Sequence, residues 1–163
     1  MLEEHRVSLI YLQPAFQNPT GVSLSGERRA AVVELARRHR AALVEDDFAA
    51  ELAYDRVPSP LRTAEAFNEV IYVKSFSKLA APAFRAAVIV APNHHERALR
   101  QAQHGLDPFP SALAQAVLAR YLPSREFQEH TKRVASMLAA RWEALRLGST
   151  SGLLLGANAE ASQ

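Results

Sequence analysis

Short apolar runs alternate with polar, helix-forming segments over the first two thirds of the chain. Runs rich in β-branched residues, bounded by turn-forming residues, predict four strands, the first of them buried. These strands are Val7–Leu12, Ala41–Glu45, Val70–Val73 and Ala86–Ala91. Because they alternate with helical stretches, the sequence predicts an α/β fold with a mostly parallel sheet and flanking helices.

Helical periodicity is clearest after Ser25 and in the last third of the chain. Ser25 can cap a helix that runs to about Arg40 with its apolar residues on one face. Three further helices are predicted, at Asn93–Leu106, Ser111–Leu122 and Ser124–Leu147. The last has an apolar stripe that includes Phe127 and Trp142, which predicts packing on a core.

The residues after the long helix differ in composition from the rest. Positions 148–163 are rich in small residues and are typical of a linker or a disordered tail. We therefore expect residues 1–147 to form the folded part of the chain.

Composition narrows the function mainly by exclusion. The hydrophobic and charged fractions, 48% and 22%, are those of an ordinary globular protein, and a net charge of +2 does not indicate a nucleic-acid partner. The absence of cysteine excludes disulfides, thiolate metal sites and a cysteine nucleophile, and the six histidines lack metal-ligand spacing. With no apolar run of about 18 residues and a polar N-terminus, we expect no membrane segment and a cytoplasmic location.

Polar side chains follow three of the predicted strands. In open α/β sheets ligands bind outside the carboxyl ends of the strands, so these side chains are expected to meet at one edge. They comprise an amide, two carboxylates, two hydroxyls and an amine, with a guanidinium before the fourth strand to hold an anion. The residues are Asn18, Asp46, Asp47, Ser75, Ser77, Lys78 and Arg85.

Three motifs, PAFQNPTG, VEDDF and SFSKLAAPAFR, occur in this order at a characteristic separation. Together they resemble the aminotransferase class I/II family of fold-type I enzymes, which depend on pyridoxal 5'-phosphate (PLP). The resemblance is strongest to the aminotransferase-like domain of MocR-type regulators, where that domain is fused to a DNA-binding domain. It covers roughly Val7 to Leu145 and implies the central part of the PLP-binding large domain, ending in a long helix toward a small domain.

The resemblance implies a role for each polar residue. Lys78 matches the lysine that bonds to the cofactor aldehyde and moves the substrate Cα proton. Asp46 matches the acid that keeps the pyridine nitrogen protonated, with Asp47 as the alternative. Asn18 matches the amide that hydrogen-bonds the cofactor's phenolic oxygen. The phosphate would be bound by Ser75, Ser77 and Arg85.

Several positions depart from the family pattern. Phe48 stands where the regulator subgroup has tyrosine, so it keeps the cofactor-site ring and lacks the hydroxyl. Lys74 replaces a small residue; it competes with Lys78 for the cofactor, but we interpret it as a solvated lysine at a strand end. Family glycines around the arginine are replaced by alanine, which is expected to tighten or distort the phosphate site. These alanines are Ala83, Ala86 and Ala87.

The family's glycine-rich phosphate loop, cofactor-stacking aromatic residue and substrate-carboxylate arginine have no counterpart here. We therefore expect a fragment with impaired catalysis. The main hypothesis is an aminotransferase that moves an amino group between an amino acid and a 2-oxo acid, homodimeric when complete. The alternative is the PLP-binding effector domain of a MocR-type regulator, which would bind DNA only through an absent upstream domain. A third hypothesis is a degenerate remnant of such a domain, without activity.

Overall fold

One four-stranded sheet organises the protein. The computed structural model describes residues 7–53, 59–63, 66 and 68–148. The strands are β1 (Leu9–Leu12), β2 (Ala42–Asp47), β3 (Val70–Ser75) and β4 (Ala87–Val90), arranged in the order β1-β2-β3-β4. The first three are parallel and β4 is antiparallel to β3, which confirms the mostly parallel sheet.

Four α-helices and two short 3₁₀ helices connect or follow the strands. The α-helices are α1 (Gly26–His39), α2 (Asn93–Leu106), α3 (Ala112–Tyr121) and α4 (Arg125–Gly148); the 3₁₀ helices are Ala50–Leu52 and Pro82–Phe84. All four α-helices lie where they were predicted. Within the described ranges, no helix combines the length and the apolar character that crossing a membrane requires. Apart from Gly148, the predicted linker or tail lies outside the described residues.

Local signals fix both ends of α1. The Ser25 hydroxyl accepts a hydrogen bond from the Arg28 amide at 3.3 Å, which satisfies one of the free N–H groups of the first turn. Arg40 adopts a left-handed conformation with φ 52°, and its N–H bonds back to the carbonyls of Ala36 and Arg37. The predicted helix, including its cap, is therefore confirmed.

The core lies between α1 and one face of the sheet. Ala36 of α1, Leu43 of β2 and Val70 of β3 have no exposed surface, and they pack with Leu61 and Ala66. Partly buried residues of β1 and α1 surround them, namely Ile10, Leu12, Val32 and Val33. We call the sheet face covered by this helix the α1 face.

Strand alternation then separates the polar residues at the strand ends. Successive side chains of a strand point to opposite faces, so Asp47 shares the α1 face with Leu43. Lys74 shares that face with Val70 by the same rule. Asp46 and Ser75 belong to the opposite face, which we call the open face. The two adjacent carboxylates of β2 thus lie on different sides of the sheet.

The apolar stripe of α4 is only partly covered. The helix packs against the 3₁₀ helix Ala50–Leu52, and Phe127, Val134 and Leu138 are half-buried. Trp142 is 37% exposed and Leu145 is 59% exposed. The prediction that the whole stripe packs on a core was therefore wrong for its last turns, since no described element lies over them.

Both edges of the sheet expose apolar side chains. Val88, Ile89 and Val90 of β4 are 45%, 53% and 41% exposed, and Leu9 of β1 is 55% exposed. The prediction that the first strand is buried was wrong, because β1 is an edge strand with a neighbour on one side only among the described residues. β4 has a hydrogen-bonded partner only on its β3 side within the described part of the chain. The sheet therefore presents unpaired backbone groups beside apolar surface at β4.

Candidate functional site

The ends of β2 and β3 extend further than the apolar pattern predicts. Both strands continue for two residues past their predicted ends, through Asp47 and Ser75, and the register pairs Asp47 with Lys74. Asp46, Asp47 and Lys74 are therefore strand residues with defined faces. This regular geometry decides which charged groups meet.

Asp46 lies on the open face and accepts two hydrogen bonds on one oxygen. Tyr11 Oη and Gln13 Nε2 both donate to Asp46 Oδ2, the latter at 2.8 Å. The bond to Asp46 raises the pKa of Tyr11, so its hydroxyl stays a donor over the ordinary pH range. Gln13 Oε1 in turn accepts from the backbone N–H of Asn18 at 3.0 Å. Gln13, which the sequence analysis missed, thus joins the acid to the Asn18 loop.

Asp47 and Lys74 form a buried ion pair on the α1 face. Lys74 Nζ lies 2.9 Å from Asp47 Oδ2 and also contacts Glu51, and the Tyr72 hydroxyl donates to Asp47 Oδ2 at 2.6 Å. Burial pushes the pKa of Asp47 up, but the hydrogen bonds from Tyr72 and Lys74 outweigh it and hold that pKa below its usual value. Lys74 is only 6% exposed, so the prediction of a solvated lysine was wrong: opposite charges draw it into the sheet.

The third carboxylate of β2, Glu45, has a structural role. It is 2% exposed and accepts hydrogen bonds from the backbone N–H groups of Leu61 and Arg62 at 2.9 and 3.1 Å. Burial raises its pKa despite these bonds. Of the three consecutive acids in β2, only Asp46 has its carboxylate on the open face.

Asn18 lies at the exposed tip of the loop between β1 and α1. Its side-chain amide has no hydrogen-bond partner within the described ranges, while its backbone is held from both sides. Gln17 Nε2 donates to the Asn18 carbonyl at 2.5 Å, and Gln17 Oε1 accepts from the Thr20 N–H at 3.1 Å. The backbone of the loop is thus fixed while the Asn18 amide remains available.

Lys78 is presented by a tight turn directly after β3. The Ala80 N–H donates to the Phe76 carbonyl at 2.9 Å, and Leu79, 1% exposed, anchors the turn. Lys78 itself is exposed and forms no ion pair with any residue that the structure describes. The Ser77 N–H donates to the Ser75 hydroxyl at 3.3 Å, so the two predicted phosphate-binding serines are brought together.

Arg85 closes the 3₁₀ helix Pro82–Phe84 in a left-handed conformation with φ 48°. None of the three alanines that replace family glycines has a positive φ, so they occupy this turn without backbone strain. Arg85 lines a cleft of about 590 Å³ together with Phe76, Phe84 and Phe109. Asp46 also borders a different cleft, of about 180 Å³, whose other lining residues include Glu45, Asp47 and Tyr72 of the α1 face. The predicted residues thus share the strand-end region but contribute to two clefts.

Phe48 follows β2 directly and is half-buried. It lies two residues beyond Asp46 along the chain. Phe48 is therefore close along the chain to Asp46, the acid on the open face. The tyrosine hydroxyl of the regulator subgroup would be expected at this position.

A family model described as aminotransferase class I and II matches residues 3–151, which is most of the chain. The chain belongs to this family. The family assignment confirms the resemblance carried by the three motifs, and the α/β architecture with its final long helix agrees with it.

Two curated proteins with different functions in their names are similar to this chain. Aromatic-amino-acid aminotransferase 1 of Thermococcus litoralis is 31% identical over 144 residues, which are 88% of this chain and 34% of that protein. The uncharacterized HTH-type transcriptional regulator YdfD of Bacillus subtilis is 31% identical over 137 residues, 83% of this chain and 28% of that protein. The chain therefore spans about a third of the length of the curated relatives it matches.

The fold is shared with solved aminotransferases. The crystal structure of Pyrococcus horikoshii kynurenine aminotransferase, in complex with PMP, substrate and product, superposes with a TM-score of 0.81 at 29% identity. The match covers 92% of this chain and 37% of that one. The prediction of a fold-type I α/β architecture is confirmed.

Proposed function

We propose that this chain binds PLP and forms the cofactor-holding part of an aminotransferase that moves an amino group between an amino acid and a 2-oxo acid. The observation that carries the proposal is the division of charges between the two sheet faces. Lys74 and Asp47 neutralise each other on the α1 face, which leaves Asp46 on the open face and Lys78 exposed in the turn after β3, four residues beyond Lys74. The family and the PMP complex of the kynurenine aminotransferase support the same cofactor class.

The donor set fits PLP. Asp46 Oδ1 has no hydrogen bond from any described residue and is available to a protonated ring nitrogen. The unpaired Asn18 amide can donate to an oxygen anion, and the guanidinium of Arg85 with two serine hydroxyls suits a phosphate dianion. Each polar group of the cofactor thus has a matching side chain among the strand-end residues.

Lys78, Asp46 and Asn18 would each have a separate role in the reaction. When bound, PLP supplies an aldehyde that captures amines and a ring that withdraws electrons from the substrate Cα. The Lys78 amine would hold the aldehyde carbon before substrate arrives and then carry a proton to and from Cα. Asp46 would keep a proton on the ring nitrogen, and Asn18 would orient the ring through its phenolic oxygen.

A regulatory function uses the same residues and is the second candidate. The observation that favours it is the match to YdfD, a transcriptional regulator, at the same identity as the match to the enzyme. In that case the site would bind PLP and an amino ligand without releasing a 2-oxo acid. Any contact with DNA would come from residues outside the part of the chain that the structure describes. The complete protein, whether enzyme or regulator, is proposed to act as a homodimer.

The experiment that tests the proposal separates binding from turnover. The purified chain is titrated with PLP while its visible absorbance is followed, and unbound cofactor is removed. Single amino acids are then added, and the released 2-oxo acid is measured. Cofactor uptake with release supports the enzyme, and uptake without release supports cofactor binding alone, as expected of either the regulator or a catalytically impaired fragment. If the chain takes up no PLP, the proposal is wrong.

Restoring a hydroxyl at Phe48 is expected to tighten PLP binding. Phe48→Tyr would add a donor for the phenolic oxygen, and a hydrogen bond to a charged group is worth about 1.5–3 kcal/mol, or roughly tenfold to a hundredfold in affinity. The measurement is the PLP dissociation constant of both proteins. Phe127→Tyr, which adds a hydroxyl on α4, is the control. An unchanged constant in Phe48→Tyr would show that this ring does not face the cofactor.

A further inference from the structure

Two motif residues, Asp46 and Asn18, are linked by hydrogen bonds to Gln13, which lies outside the motifs. Gln13 lies just after β1 and reaches both Asp46 on the neighbouring strand and the backbone of Asn18 in the following loop. In the function proposed above, on which this inference rests, these two residues contact different atoms of the same ring. One side chain therefore touches both of the elements that would hold the ring.

The orientation of the Gln13 amide follows from its partners. A backbone N–H can only donate, so the atom facing Asn18 must be the oxygen Oε1. A carboxylate can only accept, so the atom facing Asp46 must be Nε2. Both bonds are satisfied by a single orientation, at 3.0 and 2.8 Å, and exchange of the amide atoms would break both.

The bonds also select which oxygen of Asp46 stays available. Tyr11 and Gln13 both bond to Oδ2, and Gln13 Nε2 lies 3.4 Å from the Tyr11 hydroxyl. With Oδ2 fixed from two sides, rotation of the carboxylate is restricted and Oδ1 keeps one direction. A group that fixes the rotamer of a site residue increases preorganisation and so affects binding without touching the ligand.

We propose that Gln13 is a positioning residue for the cofactor, setting the orientation of the Asp46 carboxylate and its distance from the Asn18 loop. Gln13 does not itself contact the cofactor. Its effect on cofactor binding passes through Asp46, and that dependence is measurable.

A double-mutant cycle on PLP affinity tests the dependence. Gln13→Leu is expected to raise the PLP dissociation constant on the order of tenfold, the loss of one hydrogen bond to a charged group. In an Asp46→Asn background the same substitution is expected to have an effect below about threefold, because the oriented carboxylate is already gone.

Gln17 provides the matched control. It has the same side chain, lies four positions away and bonds only within the loop, to Asn18 and Thr20. Gln17→Leu is expected to change affinity by the same factor with and without Asp46→Asn. If Gln13→Leu is additive with Asp46→Asn as Gln17→Leu is, Gln13 only orders the loop and the positioning role is wrong, while the proposed PLP site stands.

A second readout needs no cofactor. Gln13→Glu places a carboxylate against Asp46 and should lower the thermal midpoint of the free chain, whereas Gln13→Glu with Asp46→Asn restores a donor and an acceptor and should recover it. Failure to recover the midpoint would mean that the two side chains are not in contact, which overturns the inference. If the midpoint recovers but the unmodified chain takes up no PLP, the contact exists and the positioning role fails together with the proposed function.

Discussion

Replacing Lys78 by alanine is expected to abolish the covalent attachment of PLP to this chain. The chain has three lysines, and only Lys78 combines an exposed amine with a position at the end of a central strand. Lys74 is buried against two carboxylates, and Lys132 is on α4. The other amines are therefore either occupied or away from the strand ends.

The measurement is peptide mapping after borohydride reduction of the chain incubated with one equivalent of PLP. In the unmodified protein the label is expected on the peptide that contains Lys78, and in Lys78→Ala it should fall to background. Lys132→Ala is the control and should keep the label. A label that persists in Lys78→Ala, or that appears on Lys74, would contradict the assignment.

Removing the charge of Lys74 is expected to cost about 3 kcal/mol of folding stability, because a buried carboxylate then loses its partner. Lys74→Met keeps most of the side-chain volume, so the loss reports the ion pair with Asp47 more than a cavity. This loss is at the lower end of the range for breaking a buried ion pair because Glu51, the second partner of Lys74, is about half exposed. Urea denaturation gives the free energy of unfolding. Lys132→Met, on an exposed helix face, should change it by less than about 0.5 kcal/mol.

The stability contributed by the ion pair between Lys74 and Asp47 is expected to depend on pH. Since the folded pKa of Asp47 is lowered, its contribution to stability is present above its unfolded pKa of about 3.9 and is lost as the pH falls through the folded value. Lys74 is one cause of the lowered pKa. The stability difference between the unmodified chain and Lys74→Met should therefore shrink as the pH falls below about 4 towards the folded pKa of Asp47. A difference that stays constant would mean that Lys74 does not stabilise the Asp47 carboxylate.

Local sequence signals predicted the framework of the fold well. The hydroxyl of Ser25 and the apolar positions of α1 are local properties, so the helix could be located from the chain alone. The strand ends were predicted less well, since Asp46, Asp47 and Lys74 are polar and are typical of loops. They remain in strands because they pair across the sheet, and Asp47 meets Lys74 through a register that local sequence does not contain.

The candidate site shows the same limit. Family motifs predicted roles for Asp46 and Lys78 but gave no reason to include Gln13, which contacts a residue 33 positions away. Its only local signal is a polar side chain directly after a strand, next to a proline. The prediction that Lys74 is solvated was wrong because its two carboxylate partners are distant in sequence. They come from another strand and the following 3₁₀ helix, and only the tertiary structure brings them near Lys74.

The exposed edge at β4 has a practical consequence for any solution experiment. Ala87–Val90 contains no proline and no charged residue, which are the usual obstacles to pairing with a strand of another molecule. A second sheet could continue this one through its free backbone groups, and apolar side chains on both faces of β4 would favour that growth. The apparent molar mass measured by light scattering should therefore rise with protein concentration, and cofactor titrations belong at the most dilute concentration that the absorbance allows.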